Sequence, residues 1–209
     1  MLINVRCYTK MKPNFPVGQA HRMELIMNVL DAIMYRTSYR GAYKNVAVPR
    51  EDLDKIVRAG YAAPSGCNTQ STSLIAVDDP KLLEKLREFI APEFAKTAPA
   101  MVFVLTQKIC PYKDKCYNIQ DYSAAIQNML LAIVELGYET CWYEGLITGV
   151  DPKGERADVI GRKLADILGV PENYDLVCYL PIGIAEREIT RREKKPFEER
   201  VWFNGFGGQ

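Results

Sequence analysis

The apolar residues of this chain switch repeatedly between helical spacing and short continuous runs. Before Met27, the stretch MLINVRCYTKMKPNFPVGQAHR mixes charges with two prolines and keeps no period, so residues 1–26 read as an irregular extension. In NVLDAIMYR, Val29, Ile33 and Met34 share one helical face, Asn28 is placed to cap the first turn, and Asp31 follows three residues on. Pro49 at the first helical position opens a second helix carrying Leu53, Ile56 and Val57, which must stop before Pro64. SLIAV then reads as a buried strand. Asp79 and Pro80 open a third helix with Leu82, Leu83, Leu86, Phe89 and Ile90 on one stripe, and MVFVLT supplies the next strand.

Ile126, Met129, Leu130, Ile133 and Val134 repeat at helical spacing, which predicts the longest helix over Ile119 to Leu136, ended by Gly137. YETCWY follows as a strand, then a helix from about Glu155 to Leu168 stopped by Gly169 and Pro171, then the strand LVCYLPIG. Beyond Gly183 the tail is charged and then aromatic, without a period, and its apolar end needs a surface to pack on. Strand and helix alternate, which predicts an α/β or α+β layer fold and, on element order alone, favours a parallel sheet. Residues 27–209 show no linker, repeat or low-complexity tract and read as one domain.

The length of 209 residues supports one sizeable core, since a chain of this size can bury roughly 70% of its unfolded surface. The 27 basic and 26 acidic residues nearly cancel, which argues against a whole-surface attraction to nucleic acid or anionic membrane and makes any anion site local. There is no run of about 18 apolar residues and no signal-peptide block at the N-terminus, so a cytoplasmic protein is expected. The six cysteines form no CxxC pair and no N-x-S/T sequon occurs, so free thiols are the default expectation, including for Cys110 and Cys116 in CPYKDKC. That spacing matches no zinc pattern, and the single histidine, His21, lies in the extension away from any triad-like context; no metal and no side-chain nucleophile is expected. There is no P-loop, and NGFGGQ near the C-terminus has a phosphate loop's composition without the helix that must follow it.

YRTSYRG places Arg36 and Arg40 around Ser38 where the first helical pattern runs out. Cations in a last turn complement the helix dipole, so both arginines can be simple helix-end residues. The same three side chains also suit a phosphomonoester, which carries about −1.5 to −2 charges and three strong acceptors that a guanidinium fork can meet.

RTSYR, APSGCNTQ, WYEG and REKKPFEERV occur in an order and spacing that resembles the nitroreductase family of FMN-dependent oxidoreductases, over about Met27 to Val201. The resemblance implies an α+β fold with a mostly antiparallel central sheet flanked by helices, built as an intertwined homodimer with FMN at each interface. It implies that Arg36 and Ser38 contact the FMN phosphate or ribityl chain and that Arg40 reaches the pyrimidine side of the ring. Arg192 and Lys194 would close the phosphate site from the tail; Lys195, Arg191 and Arg200 read as solvated charges. Pro64, Ser65, Gly66 and Asn68 would lie against the isoalloxazine, contributed by the other subunit, although such residues also make plain turns. Glu144 and Gly145 match the positions beside flavin N5, where glycine allows close backbone approach. Ser71 and Thr72 stand where the family commonly has Pro-Trp, a departure that bears on substrate shape and local packing. Cys67 reads as a small packed thiol and Lys96 as a surface lysine.

The implied reaction is a two-step exchange in which NADH or NADPH reduces the flavin and a small electron-poor acceptor, such as a nitroaromatic or quinone, reoxidises it. Other flavin chemistry of the same fold, dehydrogenation or dehalogenation, stays open, as does a flavin-binding module without turnover.

Overall fold

A computed structural model describes residues 28–143 and 159–207. Among the described residues three antiparallel strands, β1 (Thr72–Val77), β2 (Ala100–Thr106) and β3 (Asp175–Ile182), lie in the order β1-β2-β3. The helices are α1 (Val29–Tyr35), α2 (Arg50–Tyr61), α3 (Pro80–Arg87), α4 (Glu93–Lys96), α5 (Asn118–Glu135) and α6 (Val159–Ile167). The alternation read from the sequence is present, but the sheet is antiparallel, as the family resemblance implied and element order did not. Two helices, α3 and α4, carry the chain from β1 back into β2 on one face of the sheet, a return that a parallel crossover through a single helix would not give.

All of β2 is buried, and its side chains alternate between two cores. Met101, Phe103 and Leu105 pack with Leu83 and Leu86 of α3 and with Leu164 and Ala165 of α6. Ala100, Val102 and Val104 pack with Leu53 and Ile56 of α2 and with Ile126, Met129 and Ile133 of α5. The result is three layers, helices on both faces of the sheet. An irregularity between Val104 and Leu105 breaks the ladder to β3, so that neighbouring Val177 and Cys178 both face the α2–α5 side.

Most element boundaries follow local chemistry. Asn28 caps α1 by accepting the Asp31 N–H at 3.0 Å, and Asp79 caps α3 by accepting that of Leu82 at 2.7 Å. α5 stops at Gly137, whose φ of 82° lets the Tyr138 N–H reach back to the Ile133 carbonyl at 3.0 Å.

Several expectations need correction. Pro49 occupies the cap position of α2 and not its first helical residue. YETCWY is not a strand: its backbone pairs only through isolated bridges, Tyr143 to Tyr179 in β3 and Glu139 to Gly183 just past the end of β3. Its other edge is taken, because the Thr140 carbonyl accepts the Tyr39 N–H at 2.9 Å. Cys110 and Cys116 are joined in a disulfide, against the expected free thiols. Between them Lys113 and Asp114 both take positive φ (45° and 61°), and Tyr112 bridges Lys115, a tight turn that sets the cysteines opposite each other and that spacing alone does not reveal. Among the described residues no helix is long and apolar enough to cross a membrane.

Candidate functional site

Arg36 is the C-cap of α1, its N–H bonded to the Ala32 carbonyl at 2.9 Å, so the helix-end reading describes its backbone correctly. Beyond it the chain runs extended, pinned by two buried tyrosines. Tyr39 donates its hydroxyl to the Ala42 carbonyl at 2.6 Å, and its ring meets that of Tyr43 edge-on at 5.2 Å. Successive side chains of extended backbone point to opposite sides, so an inward Tyr39 leaves Ser38 and Arg40 exposed while Arg36 is half-buried.

The tail comes back onto this segment from nearly the far end of the sequence. The Lys44 N–H bonds the Ile184 carbonyl at 2.9 Å, and the Glu186 N–H bonds the Ala42 carbonyl at 3.0 Å. Arg187 Nη2 donates to the Arg40 carbonyl at 3.3 Å, and the Arg191 guanidinium lies 3.5 Å from the centre of the Tyr35 ring. Arg191, read from the sequence as a solvated charge, is exposed and in addition lies over a ring of the first motif. Arg192 and Lys194 are exposed on the tail that follows.

Behind these cations is Glu139, 7% exposed, with its Oε2 accepting no hydrogen bond. Burial pushes its carboxyl up to about 7, while the charges of Arg191 and Arg36 pull it back. Next to it Cys141 is raised to about 11 by burial, with Arg40 opposing. Arg36, Arg40 and Arg191 thus converge on one buried segment around Glu139 and Cys141, which makes a locally cationic surface on a nearly neutral chain.

The second set of candidates, Pro64 to Asn68, forms a loop and a short 3-10 turn between α2 and β1. Cys67 and Asn68 within it, and Gln70 just beyond it, take positive φ (52°, 55° and 49°) without being glycine. The Asp121 carboxylate in the first turn of α5 receives the Gly66 N–H at 2.7 Å, the Ser71 hydroxyl at 2.7 Å and the Thr69 hydroxyl at 3.1 Å. The Ser65 hydroxyl accepts the Gln70 N–H at 3.0 Å. Gly66 has to be glycine, since a Cβ there would collide with the Tyr117 side chain. Pro64 and Asn68 are exposed, Ser65 and Gly66 half-buried, and Cys67 is an exposed free thiol, not the packed one expected. A cleft of about 620 Å³ opens beside the loop, walled by Pro64, Ser65, Gln70, Leu74 and Asp121.

The fold therefore gathers Arg36, Ser38, Arg40 and the tail into one surface and holds Pro64, Ser65, Gly66 and Asn68 on another support, the start of α5. Glu144 and Gly145 lie outside the described residues. Lys96 is a surface residue paired with Glu93 at 2.6 Å. No cluster of three or more His, Cys, Asp or Glu side chains able to hold a metal occurs among the described residues.

Sequence reasoning missed Asp121, Glu139 and the seat of Arg191. Asp121 carried a signal: it stands at helical spacing with Ala125 and Met129, an acidic residue on an otherwise buried stripe.

A family model described as the nitroreductase family matches residues 33–108 and 92–184. An Archaeoglobus fulgidus protein named as an NADH dehydrogenase/NAD(P)H nitroreductase is 33% identical over 161 residues, covering 76% of this chain and 86% of that protein. Among solved structures, an FMN-dependent nitroreductase from Clostridium difficile superposes with a TM-score of 0.67 at 28% identity, covering 85% of this chain and 99% of its own. A nitroreductase with bound FMN from Bacteroides fragilis gives a TM-score of 0.65 at 28% identity, covering 85% of this chain and 98% of its own.

Proposed function

The chain belongs to the nitroreductase family, and from that premise we propose that it is an FMN-dependent oxidoreductase that uses NADH or NADPH to reduce a small electron-poor acceptor, such as a nitroaromatic or a quinone. The observation that carries the reading is the convergence of YRTSYRG with the tail: Arg36, Arg40, Arg187 and Arg191, up to 155 positions apart in the sequence, meet across one extended segment. Four cations are not needed to end a seven-residue helix.

The donor set fits the phosphate end of FMN. Arg36 and Ser38 would hold the phosphate or ribityl chain, Arg40 would reach the pyrimidine edge of the ring, and Arg192 and Lys194 would close the site from the tail. Pro64, Ser65, Gly66 and Asn68 would face the ring from the second subunit, while Glu144 and Gly145 would supply backbone beside N5. When bound, FMN supplies the hydride chemistry. The chain's own work is to bind, orient and exclude water, and no side-chain acid or base is assigned.

The purified protein should be yellow and should oxidise NADH or NADPH steadily when menadione is supplied. A colourless protein that takes up no FMN would overturn the reading. Bound flavin that neither nicotinamide reduces would make the chain a flavin-binding module instead.

Two copies are needed for a complete site in this reading. The α1 face is largely uncovered, with Val29 67%, Leu30 69% and Met34 73% exposed, and the tail presents Phe203 at 64% and Phe206 at 90%. Apolar surface of that extent calls for a cover, and a second copy of the chain provides one under closed two-fold symmetry. FMN that binds only across the dimer ties assembly to cofactor. Sedimentation should show a dimer, and truncation after Arg200 should yield monomers that lose FMN. A stable monomer retaining stoichiometric FMN would rule the shared site out.

A further inference from the structure

We propose that Asp121 is a positioning residue for the flavin: its carboxylate holds the Pro64–Asn68 loop in the one conformation that can lie against the ring. The proposal rests on the FMN reading above and goes beyond it, because Asp121 belongs to α5 and would act only through the loop.

The loop does not hold its own shape by propensity. Cys67, Asn68 and Gln70 all occupy the left-handed region, which side chains other than glycine rarely adopt and which persists only where the surroundings over-determine it. Asp121 provides that determination. It is 4% exposed, and its two oxygens collect three donors, one inside the loop and two from the residues that lead on to β1: the Gly66 N–H on Oδ1 and the Thr69 and Ser71 hydroxyls on Oδ2. These contacts bracket the left-handed residues on both sides. A buried carboxylate is tolerable here because every contact is a charge-assisted hydrogen bond and the group lies in the first turn of a helix of 18 residues, at its positive end.

The same contacts decide what the loop can offer outward. The N–H of Gly66 is spent on Asp121, that of Asn68 on the Ser65 carbonyl at 3.0 Å, that of Thr69 on the Gly66 carbonyl at 3.1 Å, and that of Gln70 on the Ser65 hydroxyl. With these four backbone donors spent, the loop is better suited to packing a shaped surface on a ring than to gripping a phosphate. Ser71 stands at the sequence departure from the usual Pro-Trp, and the departure supplies a donor: its hydroxyl is buried and points at Asp121.

The test compares FMN and riboflavin affinity by fluorescence titration in wild type, Asp121→Ala, Asp121→Asn and Ser71→Ala. Asp121→Ala should weaken both flavins by the same factor, about tenfold or more, because the loop serves the ring and not the phosphate. Asp121→Asn can still accept from Gly66 and can donate to the two hydroxyls, so it should restore both affinities to within about threefold of wild type. Should Asp121→Ala not fold, Ser71→Ala carries the test, with an expected loss of about threefold for both flavins. The proposal is overturned if Asp121→Ala or, in its place, Ser71→Ala binds both flavins as wild type does, if the loss falls on FMN alone, or if Asn fails to rescue. A wild-type protein that binds neither flavin overturns the FMN reading itself, whereas normal wild-type binding with an indifferent Asp121→Ala overturns this proposal alone.

Discussion

Arg36→Ala should weaken FMN binding at least about tenfold and leave riboflavin binding much less affected. The two roles available to Arg36 differ in magnitude and in what they act on. As the C-cap of α1 it can complement the helix dipole, a contribution of about 0.3 to 1 kcal/mol to stability that is indifferent to flavin. As a phosphate ligand it makes charge-assisted contacts worth roughly 1.5 to 3 kcal/mol each, all of them lost with the phosphate. Riboflavin lacks that group, so the ratio of the two affinities isolates the phosphate contribution from any general loosening. Lys194→Ala should show the same preference more weakly, since it is exposed on the tail. Arg40→Ala, if it meets the ring edge, should weaken both flavins alike. Equal FMN affinity in wild type and Arg36→Ala, by fluorescence titration, returns Arg36 to the helix end and removes the first support of the site.

What the sequence made legible is what short-range physics decides. Asn28 and Asp79 are caps because a side-chain oxygen beside a free N–H needs no tertiary help, and α5 ends at Gly137 because only glycine takes that backbone readily. Periodicity likewise located β2 and its neighbours, since a strand buried on both faces is apolar throughout. Strand direction was not legible from element order, because whether α3 and α4 lead to a parallel or an antiparallel neighbour depends on where two short helices turn. YETCWY has the composition of a strand, yet its pairing is divided between β3 and the extended backbone at Tyr39, a competition between segments about 40 and 100 positions away. The site shows the same boundary. Arg36, Ser38 and Arg40 could be nominated from one short motif, but that Arg191 would stack on Tyr35, or that Glu139 would be buried behind both, depends on the tail folding back over Ala42 and Lys44. The disulfide is of this kind too: Cys110 and Cys116 meet because two residues between them adopt positive φ, which CPYKDKC does not announce.

Glu139 should make the stability of the flavin-free protein fall as pH rises from about 4.5 to about 7, and Glu139→Gln should abolish that fall. The carboxyl has an ordinary value of 4.5 and is held at about 7 by burial, with Arg191 and Arg36 offsetting only part of the desolvation. An acid whose folded pKa lies above its unfolded one binds more protons in the native state, so its favourable contribution is complete below pH 4.5 and is lost as pH rises through the folded value. At about 1.4 kcal/mol per unit, the full loss by neutral pH is on the order of 3 kcal/mol, a large share of the 5 to 15 kcal/mol that holds a typical domain together. Other groups face the same carboxyl: Tyr43 is raised by burial first and by Cys141, Tyr39 and Glu139 after it, but it stays protonated throughout this window and adds no slope. Glutamine keeps the shape and removes the ionisation, so above neutral pH the variant should be the more stable protein and below pH 4.5 the two should agree. Ionised Glu139 also competes with an incoming phosphate for Arg36, so the glutamine variant should bind FMN at least as tightly as wild type at pH 8. Denaturant unfolding of both proteins at fixed protein concentration between pH 4 and 8 measures the effect. Parallel profiles would mean that Glu139 ionises as freely as in the unfolded chain, and that the buried carboxyl does not oppose the cations in front of it.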